Sequence, residues 1–252
     1  MAQRTRDDVA AVVTGHTRGL GAAIAEHLLS RDVRVFAIGR RRNAELVARY
    51  GDALIQVELD LADPAALTAW LHSEVLGRFL RHSQTALLVN NAGVVQPVGP
   101  LDTQDITIIA RAVVVNVAAP LALSGAFVAA TRDARDRRIL HISSGAGRQA
   151  YSGWSVYCAT KAALDHHARA VALDRTPALR IASVAPGVID TDMQAAIRAT
   201  TERNFPDRQR FVSMKREGQL LSPERAGQAV VEFLLSEAFG GEPVTDLRYV
   251  GP

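Results

Sequence analysis

Short apolar runs alternate with stretches of helical spacing from one end of the chain to the other. Val9 to Thr14 is apolar, ends at Gly15 and predicts a buried strand. Leu20 to Ser30 carries apolar residues at helical spacing. Val33 to Ile38 and Ala53 to Leu59 predict two further strands on either side of a helix from Asn43 to Tyr50. Asp63-Pro64 opens the next helix, because Asp caps it and Pro tolerates the first turn. A fourth strand is predicted at Ala86 to Val89, a long apolar helix over Thr103 to Thr131, and a fifth strand at Arg138 to Ser143. A helix from Trp154 to Asp174 precedes a sixth strand at Arg180 to Val184. Ser222-Pro223-Glu224 opens a last helix reaching Ser236, and a short strand is predicted near Asp246 to Val250.

Strands alternating with helices build βαβ units, and hence a parallel sheet covered on both faces. The 252 residues fit one large α/β domain or two small ones. No linker, repeat or low-complexity segment divides them, so a single domain over 1–252 is expected. The least regular part runs from Ile189 to Leu221, polar and placed between the sixth strand and the last helix. Ligands of a doubly wound sheet sit beyond the carboxyl ends of its strands. The 189–221 segment is therefore expected to be a lid.

Composition adds boundaries to this picture. Hydrophobic residues make up 48% and charged residues 22%, the balance of a globular chain with a full core. Cys158 is the single cysteine, which excludes an internal disulfide framework or a cysteine zinc cluster. That cysteine usage, with a polar start at Met1 to Asp8, leads us to expect a cytoplasmic protein. Ala112 to Thr131 has no charge, yet contains Asn116, Pro120, Ser124 and Gly125. It reads as a sheet-covering helix buried on most sides rather than as a membrane span.

The formal charge is +3, and all cations except Lys161 and Lys215 are arginine: 29 − 2 = 27. A basic surface can mean nucleic acid. Here acids are interspersed and no aromatic stacking motif accompanies the clusters. The stretch from Arg132 to Arg138 therefore reads as a solvated face, and no nucleic-acid partner is expected.

The first strand runs into Thr14-Gly15-His16-Thr17-Arg18-Gly19-Leu20-Gly21. Glycines permit a tight turn and close approach of backbone to a pyrophosphate at the helix N-terminus that follows. Alone, such a turn is a weak sign of a dinucleotide site; its place between strand and helix strengthens it. NAD usually needs an acid at the end of the second strand, whereas NADP needs cations for its 2′-phosphate. That strand ends Ala37-Ile38-Gly39-Arg40-Arg41, without an acid. Arg18 and Arg40 are expected to clamp the 2′-phosphate of NADP(H). The competing reading takes Arg40 to Arg42 as a solvated helix start.

Further marks are Asn90-Asn91-Ala92-Gly93, Asn116, Ser144, Tyr157 with Lys161 four residues on, and Pro186-Gly187 followed by Thr191. In this order and spacing they resemble the short-chain dehydrogenase/reductase family over nearly the whole chain. The resemblance implies a Rossmann-type α/β fold with about seven parallel strands. It implies that Gly15, Thr17, Arg18, Gly19, Leu20 and Gly21 cradle the cofactor, that Asp60 and Leu61 contact the adenine, and that Asn91, Ala92 and Gly93 hold the sheet end against its ribose. Pro186, Val188 and Thr191 would face the nicotinamide. No metal is expected.

Reduction of a carbonyl takes a hydride to carbon, supplied by the cofactor, and a proton to oxygen, supplied by the protein. Tyr157 and Lys161 share one helix face, and a cation there would favour the phenolate. The bland alternative is a half-buried tyrosine beside a surface lysine. Against it, this arginine-rich chain uses lysine at this position, and the other candidate, Tyr151, has Ser155 four residues on. Ser144 ends the fifth strand, where its hydroxyl could donate to the substrate oxygen. Strand alternation turns Ser143 the other way. The family resemblance gives Asn116 a water that relays protons to Lys161; a helix kink near Pro120 is the plainer reading. Cys158, His141, His166 and His167 read as structural.

The segment Gly153-Trp154 to Asp165 is similar to the corresponding stretch of sepiapterin reductases and bacterial benzil and diketone reductases, which implies a small dicarbonyl or aromatic ketone as substrate. Asp246 falls near a pterin-binding acid of the former, at a different spacing. A homodimer or homotetramer is expected from the resemblance. The rival class is a non-catalytic NADP(H) sensor or scaffold, which the intact Ser144, Tyr157 and Lys161 set argues against.

Overall fold

The computed structural model describes residues 8–249. Residues 1–7, with most of the polar start, and 250–252, with the end of the last predicted strand, lie outside the described residues.

Seven parallel strands form one sheet in the order β3-β2-β1-β4-β5-β6-β7. They are β1 (Val9–Thr14), β2 (Arg34–Gly39), β3 (Leu54–Glu58), β4 (Thr85–Asn90), β5 (Asp136–Ile142), β6 (Leu179–Ala185) and β7 (Val244–Asp246). Side chains alternate between two cores. Ala11 and Val13 of β1 join one, with Leu87, Leu140 and Val184. Ala10 and Val12 join the other, with Leu88, Ile139 and Ile181. Burial on both faces is why these strands read as continuous apolar runs.

Helices α1 (Gly19–Leu29) and α10 (Pro223–Leu235) cover the first core through Ile24, Leu28, Val230 and Leu234. The second lies under α3 (Pro64–Leu71), α4 (Val75–Leu80), α6 (Ala119–Ala130) and α7 (Ser155–Leu173). The short α2 (Ala44–Tyr50) adds Leu46 to the first core. The predicted order holds, with differences at the short elements. α4 was not expected; six residues give too little periodicity to read. β7 begins before Asp246, where Ser183, Val184 and Ala185 pair with Val244, Thr245 and Asp246.

The long apolar helix is α5 (Ile106–Val113), a π turn at Val114–Ala118, and α6, in unbroken succession. By length and composition Ile106–Ala130 could cross a membrane, but Ala119, Leu123 and Phe127 pack it onto the sheet. Only 33% of its most apolar window is buried. It therefore presents one stripe to the core, and the expectation of burial on most sides is corrected.

The expected irregular lid contains two helices, α8 (Asp192–Ala199) and α9 (Arg208–Arg216). A bridge between Ile189 and Leu221 closes its base. Both helices are short and mostly polar, and depend on Ile197 and Phe211 packing into an aromatic cluster.

α1 and α10 meet at Gly227, where a Cβ would lie 2.7 Å from Ala23 Cβ and 3.0 Å from Ala23 C. Both helices are held by a full core and cannot separate cheaply. Gly227→Ala is expected to destabilise the fold by about 1–3 kcal/mol, read as a lower denaturant midpoint at unchanged slope.

Candidate active site

The carboxyl ends of β1 and β4 are tied together at Thr14. Its Oγ1 accepts from the N–H groups of Asn91 and Ala92, both at 3.0 Å. The Asn91 amide donates to the carbonyls of Thr14 (2.9 Å) and Gly15 (3.3 Å). Gly15 sits at φ +72° and Gly19 at φ +55°, conformations other residues rarely adopt. A Cβ at Gly21 would overlap the Gly15 carbonyl and the Asn91 amide. The turn is therefore bare backbone leading into an 11-residue helix whose N-cap, Arg18, makes no side-chain cap bond. This is a cradle of the kind a pyrophosphate needs, and the residues present fit a dinucleotide.

Every expected site residue except Asn116 lines one cleft of about 1060 Å³. Gly15, Thr17, Arg18, Gly19, Leu20 and Gly21 form one end. Arg40, Asp60 and Leu61 flank it, Asn91 to Gly93 form the floor, and Pro186, Val188 and Thr191 lead into the lid. Arg40 to Arg42 are exposed. Arg18 is not free: its guanidinium pairs with Asp192 at the start of α8. Burial would raise the Asp60 carboxyl, but the Ala62 N–H and the Arg111 guanidinium (3.0 Å) outweigh it and hold the group low.

His16 is a member the sequence reading passed over. It is fully buried, and its Nε2–H donates to Gln56 Oε1, which also accepts from the Asn43 backbone N–H at 2.6 Å. Gln56 Nε2 donates to the Asn43 carbonyl at 3.2 Å. These bonds strap the arginine turn after β2 to the glycine turn. Nothing in the periodicity signals it, since the partners are 40 residues apart.

At the other end stand Ser144, Tyr157 and Lys161. Ser144 follows β5, and its Oγ accepts from the Ala146 N–H at 3.2 Å. Ser143 has a buried hydroxyl without a partner. Burial pushes the Tyr157 phenol up to about 12, against a hydrogen bond with Ser144 that lowers it. Burial likewise pulls Lys161 down to about 8, with Asp165 opposing. In the cofactor-free chain burial, opposed by Ser144, sets the direction for Tyr157. Lys161 Nζ lies 5.7 Å from the centroid of the Tyr157 ring and donates to the Ile142 carbonyl at 2.7 Å.

Asn116 lies in the π turn, a feature frequent at functional sites. Its Oδ1 accepts from the Val94 N–H, and its amide donates to the Val94 carbonyl, both at 2.8 Å, and to Thr160 Oγ1 at 3.1 Å. A Cβ at Gly93 would lie 3.3 Å from Asn116 Oδ1 and 3.5 Å from Lys161 Nζ, so glycine leaves room between them.

The wall beside Tyr157 is aromatic. Trp154 meets Tyr157 edge-on at 5.3 Å, stacks on Phe205 at 4.4 Å and touches Phe211 at 5.6 Å. Phe205 and Phe211 come from the 189–221 segment, where as isolated apolar residues in a polar stretch they give only a faint signal. Asp246 does not face the cleft free. Its carboxylate accepts from Arg248 Nε (3.0 Å) and Nη2 (2.7 Å). Among the described residues no group of His, Cys, Asp or Glu could hold a metal.

His141 is fully buried in β5. Asn90 Nδ2 donates to its Nδ1 (3.2 Å), which assigns the proton to Nε2, and Nε2 donates to His167 Nδ1 (3.0 Å). Burial first, then the His167 and Lys161 charges, lower its pKa to about 3. The unfolded chain, with histidine near 6.5, binds the proton first. Stability should thus fall as pH drops below about 6.5, by about 1.4 kcal/mol per unit for this group. Denaturant titrations at pH 7 and pH 5 should show a shallower loss in His141→Gln than in the parent.

Residues 9–202 match the profile of a family described as short chain dehydrogenase. Benzil reductase ((S)-benzoin forming) of Bacillus cereus is 36% identical over 236 residues, 90% of this chain and 94% of that protein. Sepiapterin reductase of Meriones unguiculatus is 30% identical over 243 residues, 90% of this chain and 92% of that protein. A short-chain dehydrogenase/reductase crystal structure from Burkholderia vietnamiensis is 48% identical. It superposes with a TM-score of 0.72, covering 98% of this chain and 100% of that one.

Proposed function

The chain belongs to the short-chain dehydrogenase/reductase family, and from that premise we propose that it is an NADPH-dependent reductase of small dicarbonyls or aromatic ketones. One observation carries the reading: a single cleft joins a glycine cradle flanked by arginines to a Ser144–Tyr157–Lys161 group walled by Trp154. The benzil and sepiapterin reductase relatives support carbonyl reduction over other chemistry of the family.

When bound, the nicotinamide cofactor supplies the hydride. Tyr157 donates the proton from its Oη to the carbonyl oxygen. Burial raises the phenol to about 12, so it holds its proton at neutral pH and needs the charges of Lys161 and the bound cofactor to bring it toward the operating pH. Ser144 orients the same oxygen and stabilises negative charge as it develops. Lys161 holds the cofactor ribose and, when charged, stabilises the phenolate left behind. Asn116 would hold, on the second lone pair of its Oδ1, a water that relays a proton to Lys161, the rest of its side chain being bonded to Val94 and Thr160. Arg18 and Arg40 hold the 2′-phosphate, and Val188 and Thr191 the carboxamide. Trp154, Phe205 and Phe211 favour flat, apolar substrates. A homodimer or homotetramer in the cytoplasm completes the reading, with Ile106, 82% exposed, among the residues an interface would cover.

Benzil and pterin-like diketones should be reduced with NADPH. Tyr157→Phe should lower kcat by about 10²–10⁴-fold while NADPH still binds with near-parental Kd. Near-normal turnover in that variant would refute the role of Tyr157, and inactivity on every dicarbonyl and aromatic ketone would refute the substrate class. Arg18→Ala combined with Arg40→Ala should raise the Kd of NADPH by at least about tenfold, the loss of two charge-assisted contacts, and leave NADH little changed.

A further inference from the structure

The two arms of the phosphate clamp differ in the folded chain. Arg40 is exposed, and its charge helps hold down the Asp60 carboxyl, which Arg111 binds. Arg18 has a partner, the carboxylate of Asp192, 174 residues along the chain. Both side chains are about 70% exposed, 70% for Arg18 and 69% for Asp192, so the pair can open without unpacking anything.

Asp192 is the first residue of α8 and stands at the base of the lid. The neighbouring acid, Asp190, is taken up within the lid by Lys215 and by Arg198 (3.6 Å). The lid base is closed by the Leu221 N–H on the Val188 carbonyl and the Asp190 N–H on the Leu221 carbonyl, both at 2.9 Å. Thr191 reaches the glycine turn too: a Cβ at Gly19 would lie 3.2 Å from Thr191 Cγ2. The Arg18–Asp192 pair thus joins the lid to the glycine turn at the point where the cofactor must enter.

A 2′-phosphate bound by Arg18 while Asp192 stayed in place would bring two anions to one guanidinium, and like charges at such range repel. We propose that Asp192 is a specificity-determining residue that competes with the cofactor 2′-phosphate for Arg18, so that binding of the phosphate releases the lid from the glycine turn. This rests on the reading that Arg18 belongs to the phosphate clamp. The competition weakens the phosphate-bearing cofactor selectively, because NADH has no 2′-phosphate to draw Arg18 away from Asp192. By linkage, whatever loosens the lid also strengthens NADPH.

The test measures Kd for NADPH and for NADH by calorimetry, without substrate, in the parent, Asp192→Asn, Arg18→Ala and the double variant. Amide exchange over residues 189–200 is followed with each cofactor. Asp192→Asn should tighten NADPH about two- to fivefold, the range of an exposed ion pair, and leave NADH unchanged. In the Arg18→Ala background the Asp192 substitution should have no effect. Exchange at the lid base should rise with NADPH more than with NADH. An unchanged NADH Kd in Asp192→Asn certifies that this variant folds, and a parental far-UV circular dichroism spectrum does so for the Arg18 variants. If Arg18→Ala weakens both cofactors alike, the clamp reading falls and this inference with it. If Arg18→Ala selectively weakens NADPH but Asp192→Asn fails to tighten it, the clamp stands and the competition is overturned.

Discussion

The hydrogen bonds between Thr14 and Asn91 hold the rest of the site in place. The chain lays β1, β2 and β3 outward in one direction, then returns to β4 on the other side of β1. A crevice opens where the order reverses, and two strand ends meet there with backbone groups unpaired. Thr14 and Asn91 satisfy those groups with side-chain bonds. The Asn91 amide also occupies the space a Cβ at Gly21 would need. One set of contacts therefore fixes the turn, sets the start of α1 and aims the open N-terminus into the cleft.

The reactive end is governed by desolvation. Burial drives Tyr157 up and Lys161 down, each toward its neutral form. Tyr157 is thus neutral at neutral pH while Lys161 is still mostly charged, in a place where dipoles and hydrogen bonds act strongly. Ser144 counters the shift on Tyr157 and Asp165 the shift on Lys161. The π turn brings Asn116 into the same layer, and the bare Gly93 lets its carbonyl oxygen and the lysine approach from one side. The wall of the cleft beside Tyr157 is shaped by a different physics, the packing of Trp154 between Tyr157 and Phe205.

Much of this was legible along the chain because it depends on local spacing. Strands buried on both faces must be apolar throughout, so their runs stand out without any partner in view. Tyr157 and Lys161 share a face of α7 by virtue of four residues of separation. The glycine turn announces itself, since only glycine tolerates its backbone angles. By itself, then, the sequence determined the parallel α/β order, the glycine turn after β1, the shared helix face of Tyr157 and Lys161 and, through the order of these marks, the family.

What only the tertiary structure decided lies between residues distant in the chain. α8 and α9 are helical because Ile197 and Phe211 find Trp154, although their own pattern is polar. His16 straps the arginine turn through Gln56 and Asn43. Arg18 meets Asp192 only once the lid is folded. The direction of the Tyr157 shift in the cofactor-free chain could not be read from a lysine one turn away, because burial sets it. Local spacing fixes which groups can meet; the dielectric around them and the partner that arrives first are properties of the packed chain.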